Sequence, residues 1–141
     1  MRRITLFIVT IAMLMSCTGG AYKSTSDGVI VNVQNREENG PARVRLQIMS
    51  EGIVRVSQTP DRKFHDRNSL IILPDAQRET NFEVVDSEAS VGIKTSELYV
   101  TVNKTDGVVT FMDAKGNVIS KESEPTSFTP VSVTDTKGTT T

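Results

Sequence analysis

The feature that most constrains the fold of this chain is a short, recurring alternation of apolar and polar residues. Val44, Leu46 and Ile48 alternate with polar side chains, and the same period of two appears at 29–34, 98–102 and 108–112. Because successive side chains of a β-strand point to opposite faces, each run predicts a half-buried strand. No stretch has a helical apolar period of useful length, so the alternation predicts an all-β fold.

Turn-forming residues separate these runs at regular intervals. Gly40, Gly52 and Gly116 lie in such turns, and Asp106-Gly107 is a hairpin signal with glycine where a positive φ is needed. Further strands are expected at 53–57, 69–73, 82–86, 90–94 and 118–119. Short, evenly spaced strands of this kind predict an antiparallel β-sandwich.

The first residues have the pattern of a secretory signal peptide. Arg2 and Arg3 precede an uncharged apolar run over 4–14, and about 11 apolar residues are too few to span a bilayer. The ending Leu-Met-Ser-Cys resembles the lipobox of bacterial lipoproteins. Cys17, the only cysteine of the chain, is therefore predicted to be lipidated and to hold the protein at the cell envelope, in the outer membrane or at the cell surface or periplasm.

The rest of the chain is expected to consist of a short tether and one domain. After removal of residues 1–16, the small polar residues of 17–26 are expected to form a tether. Residues 27–138 are expected to form the domain, and 139–141 add no closing strand. The sandwich is therefore expected to be incomplete at the C-terminus, as in a truncated gene product or a fragment.

Composition argues against several classes of function. Removing Arg2 and Arg3 with the signal leaves 14 basic and 17 acidic residues, a net charge of −3, which does not predict a nucleic-acid partner. The absence of tryptophan argues against a broad aromatic platform for sugars. His65 is the only histidine, and one histidine with one cysteine cannot build a zinc site, so no metal or other cofactor is expected.

Few residues qualify as catalytic candidates. Asp61, His65 and Asp66 share a polar loop and could form an acid–base cluster, although charged loop residues are usually solvated. Asp106 and Asp113 occupy tight turns, where an aspartate typically accepts hydrogen bonds from its own backbone. The structural interpretation is favoured for all of them, and no catalytic residue is predicted.

Binding candidates lie on the outward positions of the predicted strands. Arg43, Arg45 and Arg55 are expected on a solvated face with cross-strand acidic partners, the alternative being contact with a glycan or a partner domain. Tyr99 lies on the polar side of its strand and could present a ring for stacking. Tyr99 and Arg55 are the candidates for contact with a glycan or a neighbouring domain.

Two groups of segments follow one another in a recognisable order. The first is Val44–Ile48, Gly52–Ser57 and Thr59-Pro60, and the second is 98–102, 106–113, 116–119 and 128–131. The first group resembles the opening of the N-terminal domain of glycoside hydrolase family 31, which contains α-glucosidases and α-xylosidases. The second resembles the closing part of that domain, with 128–131 similar to secreted Bacteroides-type members.

This resemblance implies a galactose-mutarotase-like β-sandwich that packs on a catalytic (β/α)₈ barrel and shapes the rim of its active site. It implies a parent enzyme that hydrolyses α-linked xylose or glucose in an oligosaccharide by means of two carboxylates. Those carboxylates belong to the barrel, so the chain of 141 residues is expected to be inactive alone.

Three functions remain open from the sequence. The chain is the non-catalytic N-terminal domain of an α-glycosidase, a free-standing glycan-binding surface lipoprotein, or a structural or adhesion module. The resemblance favours the first. The resemblance implies that the preference for xylose or glucose would be set in the barrel, so these residues do not reveal it.

Overall fold

The structure is a computed structural model that describes residues 20–35, 38–65 and 80–132. Cys17, Asp66 and the strand expected at 69–73 lie outside these ranges. The strands found within them are β1 (Tyr22–Thr25), β2 (Gly28–Asn32), β3 (Arg43–Ser50), β4 (Ile53–Thr59), β5 (Glu83–Asp86), β6 (Ser90–Lys94), β7 (Leu98–Asn103), β8 (Val109–Asp113) and β9 (Val118–Lys121). The described residues contain no helix, and the prediction of an all-β fold is confirmed.

The strands form two antiparallel sheets. The first has the order β1-β2-β3-β4 and the second the order β5-β6-β7-β8-β9. Each hydrogen-bonded pair of described strands joins strands that follow one another in the described part of the chain, so each sheet is a meander. Two packed antiparallel sheets are the predicted β-sandwich, whereas its galactose-mutarotase-like type and its incomplete C-terminus stay predictions.

The alternation in the sequence explains which side chains meet between the sheets. The inward positions of β2 and β3 face those of β6, β7 and β8 in one apolar core. Full burial of an aliphatic side chain of this size contributes about 1.5–3 kcal/mol, so this layer dominates the stability of the fold. The core residues are Val29, Val31, Val44, Leu46, Ile48, Val91, Ile93, Val100, Val102 and Val109.

The first strand corrects one boundary drawn from the sequence. Tyr22–Thr25, which fall within the expected tether, pair with β2 in the register Tyr22↔Val31 to Thr25↔Gly28. Tyr22 packs against the core. The ordered domain therefore begins before Asp27, because an otherwise polar segment becomes a strand by adding to the edge of β2.

Hydrogen bonds join the two sheets at both ends. At one end the backbone N–H groups of Gln34 and Asn35 donate to the carbonyls of Lys104 (2.8 Å) and Thr105 (2.9 Å). At the other end the Thr95 hydroxyl donates to the carbonyl of Glu51 (2.6 Å). These contacts fix how the loops of one meander lie against those of the other.

A further link runs along one side of the sandwich. Gln58 of β4 donates from Nε2 to Oε1 of Glu122 at 3.0 Å. The other carboxylate oxygen of Glu122 accepts from the backbone N–H of Val109 at 2.8 Å. One side chain thus connects the last strand of the first sheet with β8 of the second.

The two strands that this contact links also expose apolar residues. Among the described strands, β4 and β9 lie at the ends of their sheets, and Ile53, Val118 and Ile119 on them are 60%, 62% and 62% exposed. Ile53 and Val118 lie at the end where the β3–β4 turn contacts the β6–β7 turn. We call these three residues the apolar edge.

Candidate functional site

The two binding candidates lie on opposite sides of the molecule. Tyr99 alternates with buried Val100, so its half-buried ring lies on the outer face of the second sheet. Arg55 alternates with the inward-facing Val54 and Val56 and is exposed on the outer face of the first sheet. They cannot belong to one binding site.

The three arginines of the first sheet share its outer face, as predicted. None of the described residues directly opposite Arg43, Arg45 or Arg55 is acidic, so the expectation of cross-strand acidic partners stays a prediction. The residues directly opposite are Asn32, Thr59, Ile30, Ser57 and Gln47. Arg45 also lies over the ring of Phe64, with Cζ 4.5 Å from the ring centroid.

The polar loop does not assemble an acid–base site from the described residues. Nε2 of His65 lies 3.7 Å from Oδ2 of Asp61, and the two side chains are 82% and 66% exposed. Asp66, the third candidate, lies outside the described residues. Among the described residues, this imidazole and carboxylate form an exposed surface pair.

The two turn aspartates act as backbone acceptors, as predicted. Oδ1 of Asp106 accepts from the N–H of Val108 at 2.9 Å. Oδ1 of Asp113 accepts from the N–H groups of Lys115 and Asn117, both at 2.8 Å. The side-chain amide of Asn117 also donates to Asp113 at 2.7 Å and is the main reason why the pKa of that carboxyl is lowered.

An open groove with polar walls crosses the outer face of the second sheet. Its volume is about 370 Å³, and strands β6 to β9 form its floor. We call it the β6–β9 groove. Its polar lining residues are Ser90, Thr101, Asn103, Asp106, Thr110, Lys121, Glu122 and Ser123.

Strand register explains why these polar residues meet. Thr101 of β7 lies opposite Thr110 of β8, and Thr110 lies opposite Lys121 of β9, so the three form one row across the floor. Sequence analysis did not single out this row. Its signal was present in the outward positions of two predicted strands joined by the Asp106-Gly107 turn, which fixes the Thr101↔Thr110 pairing.

Tyr99 is next to this row, although it does not itself line the groove. It lies two residues before Thr101 on the same face of β7, and its ring leans over Gly92 of β6. A Cβ atom at Gly92 would stand 2.9 Å from Cε2 of Tyr99 and 2.8 Å from Cγ2 of Thr101. The absent side chain at Gly92 lets the ring lie close to the sheet beside the groove.

No group of three or more metal-binding side chains occurs in the part of the chain that the structure describes. Among the same residues there is no helix long and apolar enough to cross a membrane.

No protein-family model matches the chain. Among solved structures, a glycoside hydrolase family 31 α-xylosidase from Xanthomonas citri is similar to it, with a TM-score of 0.57 and 31% sequence identity. The match covers 70% of this chain and 10% of the α-xylosidase, so the chain is similar to a small part of a much longer protein. The resemblance noted in the sequence is thus supported by a structural and sequence likeness to an enzyme of that family.

Proposed function

We propose that this chain is the non-catalytic N-terminal domain of an α-glycosidase that hydrolyses terminal α-linked xylose or glucose. The observation that carries the proposal is the likeness to a family 31 α-xylosidase at 31% identity over 70% of this chain. The order of the matching strand and turn segments in the sequence supports it independently.

The state of the carboxylates supports a non-catalytic role. Retaining glycosidases need two carboxyl groups about 5 Å apart, one of them a proton donor. Asp106 and Glu122 line one groove, but each accepts a hydrogen bond from the backbone, and Glu122 also accepts one from Gln58. Both carboxylates are thus engaged in holding turns and sheets together.

We propose that the strands that carry the apolar edge, β4 and β9, pack against the catalytic barrel. Ile53, Val118 and Ile119 are largely exposed on them, and each strand has a neighbour on one side only among the described strands, so a further segment could pair with it. In this proposal the domain helps to shape the rim of the active site, and oligosaccharide substrate is bound by the barrel. Lipid on Cys17 would hold the enzyme at the cell envelope.

The native gene product tests the proposal. An antibody raised against this chain should detect, in cells that express the gene, a protein far larger than 141 residues. The immunoprecipitate should hydrolyse an aryl α-xyloside or aryl α-glucoside, and purified recombinant 141-residue chain should not. A native product of about the size of this chain, with no hydrolysis in the precipitate, would contradict the proposal.

A further inference from the structure

We propose that the β6–β9 groove, together with the ring of Tyr99, binds a neutral saccharide. This goes beyond the proposed function, because it assigns a binding site to this chain itself and does not need a barrel. The groove has about 370 Å³, within the range of small-molecule sites, and it is lined mostly by hydrogen-bonding side chains.

The first argument is that key polar groups of the groove have no bond to the protein. Within the described residues, the hydroxyls of Thr101 and Thr110 and the ammonium group of Lys121 have no hydrogen-bond partner. Asp106 uses Oδ1 for the N–H of Val108 and keeps Oδ2 as an acceptor. Donors and acceptors thus alternate over a short distance, as the hydroxyl groups of a sugar require.

The second argument is the balance of charge, which disfavours an anionic ligand. The groove contains one cation, Lys121, and two carboxylates, Asp106 and Glu122. The net negative charge repels an anion, whereas the hydroxyl groups of a neutral ligand can accept from Lys121 and donate to Oδ2 of Asp106 without charge repulsion.

The third argument is the position of Tyr99. Its ring lies beside Thr101 and over Gly92, so an aromatic surface borders a row of hydroxyl groups. A pyranose ring has the matching surfaces, with C–H groups on its face and hydroxyl groups on its rim. Because, among the described residues, only the ring of Tyr99 is available for stacking, we expect weak binding. Weak binding would be sufficient to keep the protein near glycans.

The experiment is a titration of the full chain, purified in detergent and labelled with ¹⁵N, with xylotriose, maltotriose and trigalacturonate. A neutral trisaccharide should shift the backbone amides of residues 99–101 and 110 saturably. Tyr99→Ala should weaken binding by about tenfold, and Thr101→Val or Thr110→Val by about fivefold each. Tyr99→Phe, which keeps the ring, should bind within about twofold of the wild type.

Ser57→Ala, on the outer face of the first sheet, is the matched control and should leave the affinity unchanged. Thr101→Val and Thr110→Val keep β-branched side chains, so they test the groove even if Tyr99→Ala fails to fold. The inference is wrong if no neutral sugar gives a saturable shift up to about 10 mM, or if only trigalacturonate binds. It is also wrong if both threonine variants bind like the wild type. If the native gene product detected by the antibody proves to be small and inactive, the proposed function is refuted. The result of the sugar titration does not depend on that outcome.

Discussion

At the scale of single residues, Gly28 is, among the described glycines, the one least able to accept a side chain. A Cβ atom there would stand 2.0 Å from the carbonyl oxygen of Leu46, and the φ angle of Gly28 is +153°. The clash is with backbone, so Gly28→Ala can be accommodated only by moving β2 away from β3. We expect Gly28→Ala to lower the free energy of unfolding by at least about 2 kcal/mol, measured by urea denaturation.

Gly52→Ala is the matched control for this prediction. A Cβ atom at Gly52 would meet only Oε2 of Glu97, the far end of a flexible side chain, at 2.5 Å. The side chain can rotate away, so the change in stability should stay within about 0.5 kcal/mol. Equal losses in the two variants would show that the approach to Leu46 is not what requires glycine at position 28.

Asp113 gives a prediction about pH. The amide of Asn117 is the largest cause of its lowered pKa, so the folded chain binds this proton less tightly than the unfolded chain does. Asp113 therefore stabilises the fold above its ordinary pKa of 3.8, and this contribution is lost as the pH falls through the lowered value. Asn117→Ala should raise the pKa of Asp113 in a carboxyl NMR titration, whereas Asn39→Ala should not. An unchanged pKa in Asn117→Ala would contradict the assigned cause.

The requirement for a particular residue could be predicted from the sequence where that requirement arises from the local turn. Gly107 was expected to have a positive φ from its hairpin signal, and its φ is +80°. The requirement for glycine at position 28 could not be predicted, because it depends on which carbonyl of β3 lies opposite. The residues directly opposite the arginines could not be predicted for the same reason, since the register of the strands decides them.

At the scale of elements, we expect the hydrogen bond between Gln58 and Glu122 to contribute to the stability of the contact between the two sheets. It joins β4 to the segment after β9, and Glu122 also accepts the N–H of Val109. Gln58→Ala and Glu122→Ala should each destabilise the chain, Glu122→Ala more, because it also leaves a backbone donor without its acceptor. In a double-mutant cycle the coupling should be about 1 kcal/mol.

Glu124→Ala serves as the control for that cycle, since Glu124 is exposed and should change stability by less than about 0.5 kcal/mol. Additive effects of Gln58→Ala and Glu122→Ala would show that the two side chains do not interact in solution.

The alternation predicted elements well where a strand has several apolar residues on one face. β2, β3, β7 and β8 were all expected close to their observed bounds. β1 was not expected, because Tyr22 is its only apolar residue and its pairing with β2 supplies the rest of its stability. The β6–β9 groove was missed because it arises from four strands in register and from no single motif.

At the scale of the whole molecule, attachment to a membrane remains a prediction from the sequence. Cys17→Ala should abolish metabolic labelling by a palmitate analogue, because the thiol that accepts the lipid is removed. Ser16→Ala keeps a small residue before the cysteine and should retain the label. Equal labelling of the wild type and Cys17→Ala would refute the lipoprotein assignment.

The meander order of both sheets has a consequence for how the chain folds. Since each pair of described strands joins neighbours along the chain, these contacts have a low contact order and can form quickly. The first sheet can be complete once residue 59 has left the ribosome, before the strands that cover it have been made. Protein synthesis adds about 5–20 residues per second, so the apolar face of the first sheet stays exposed for several seconds before β6 and β7 have been made. Aggregation during synthesis should therefore depend on translation speed between β4 and β7.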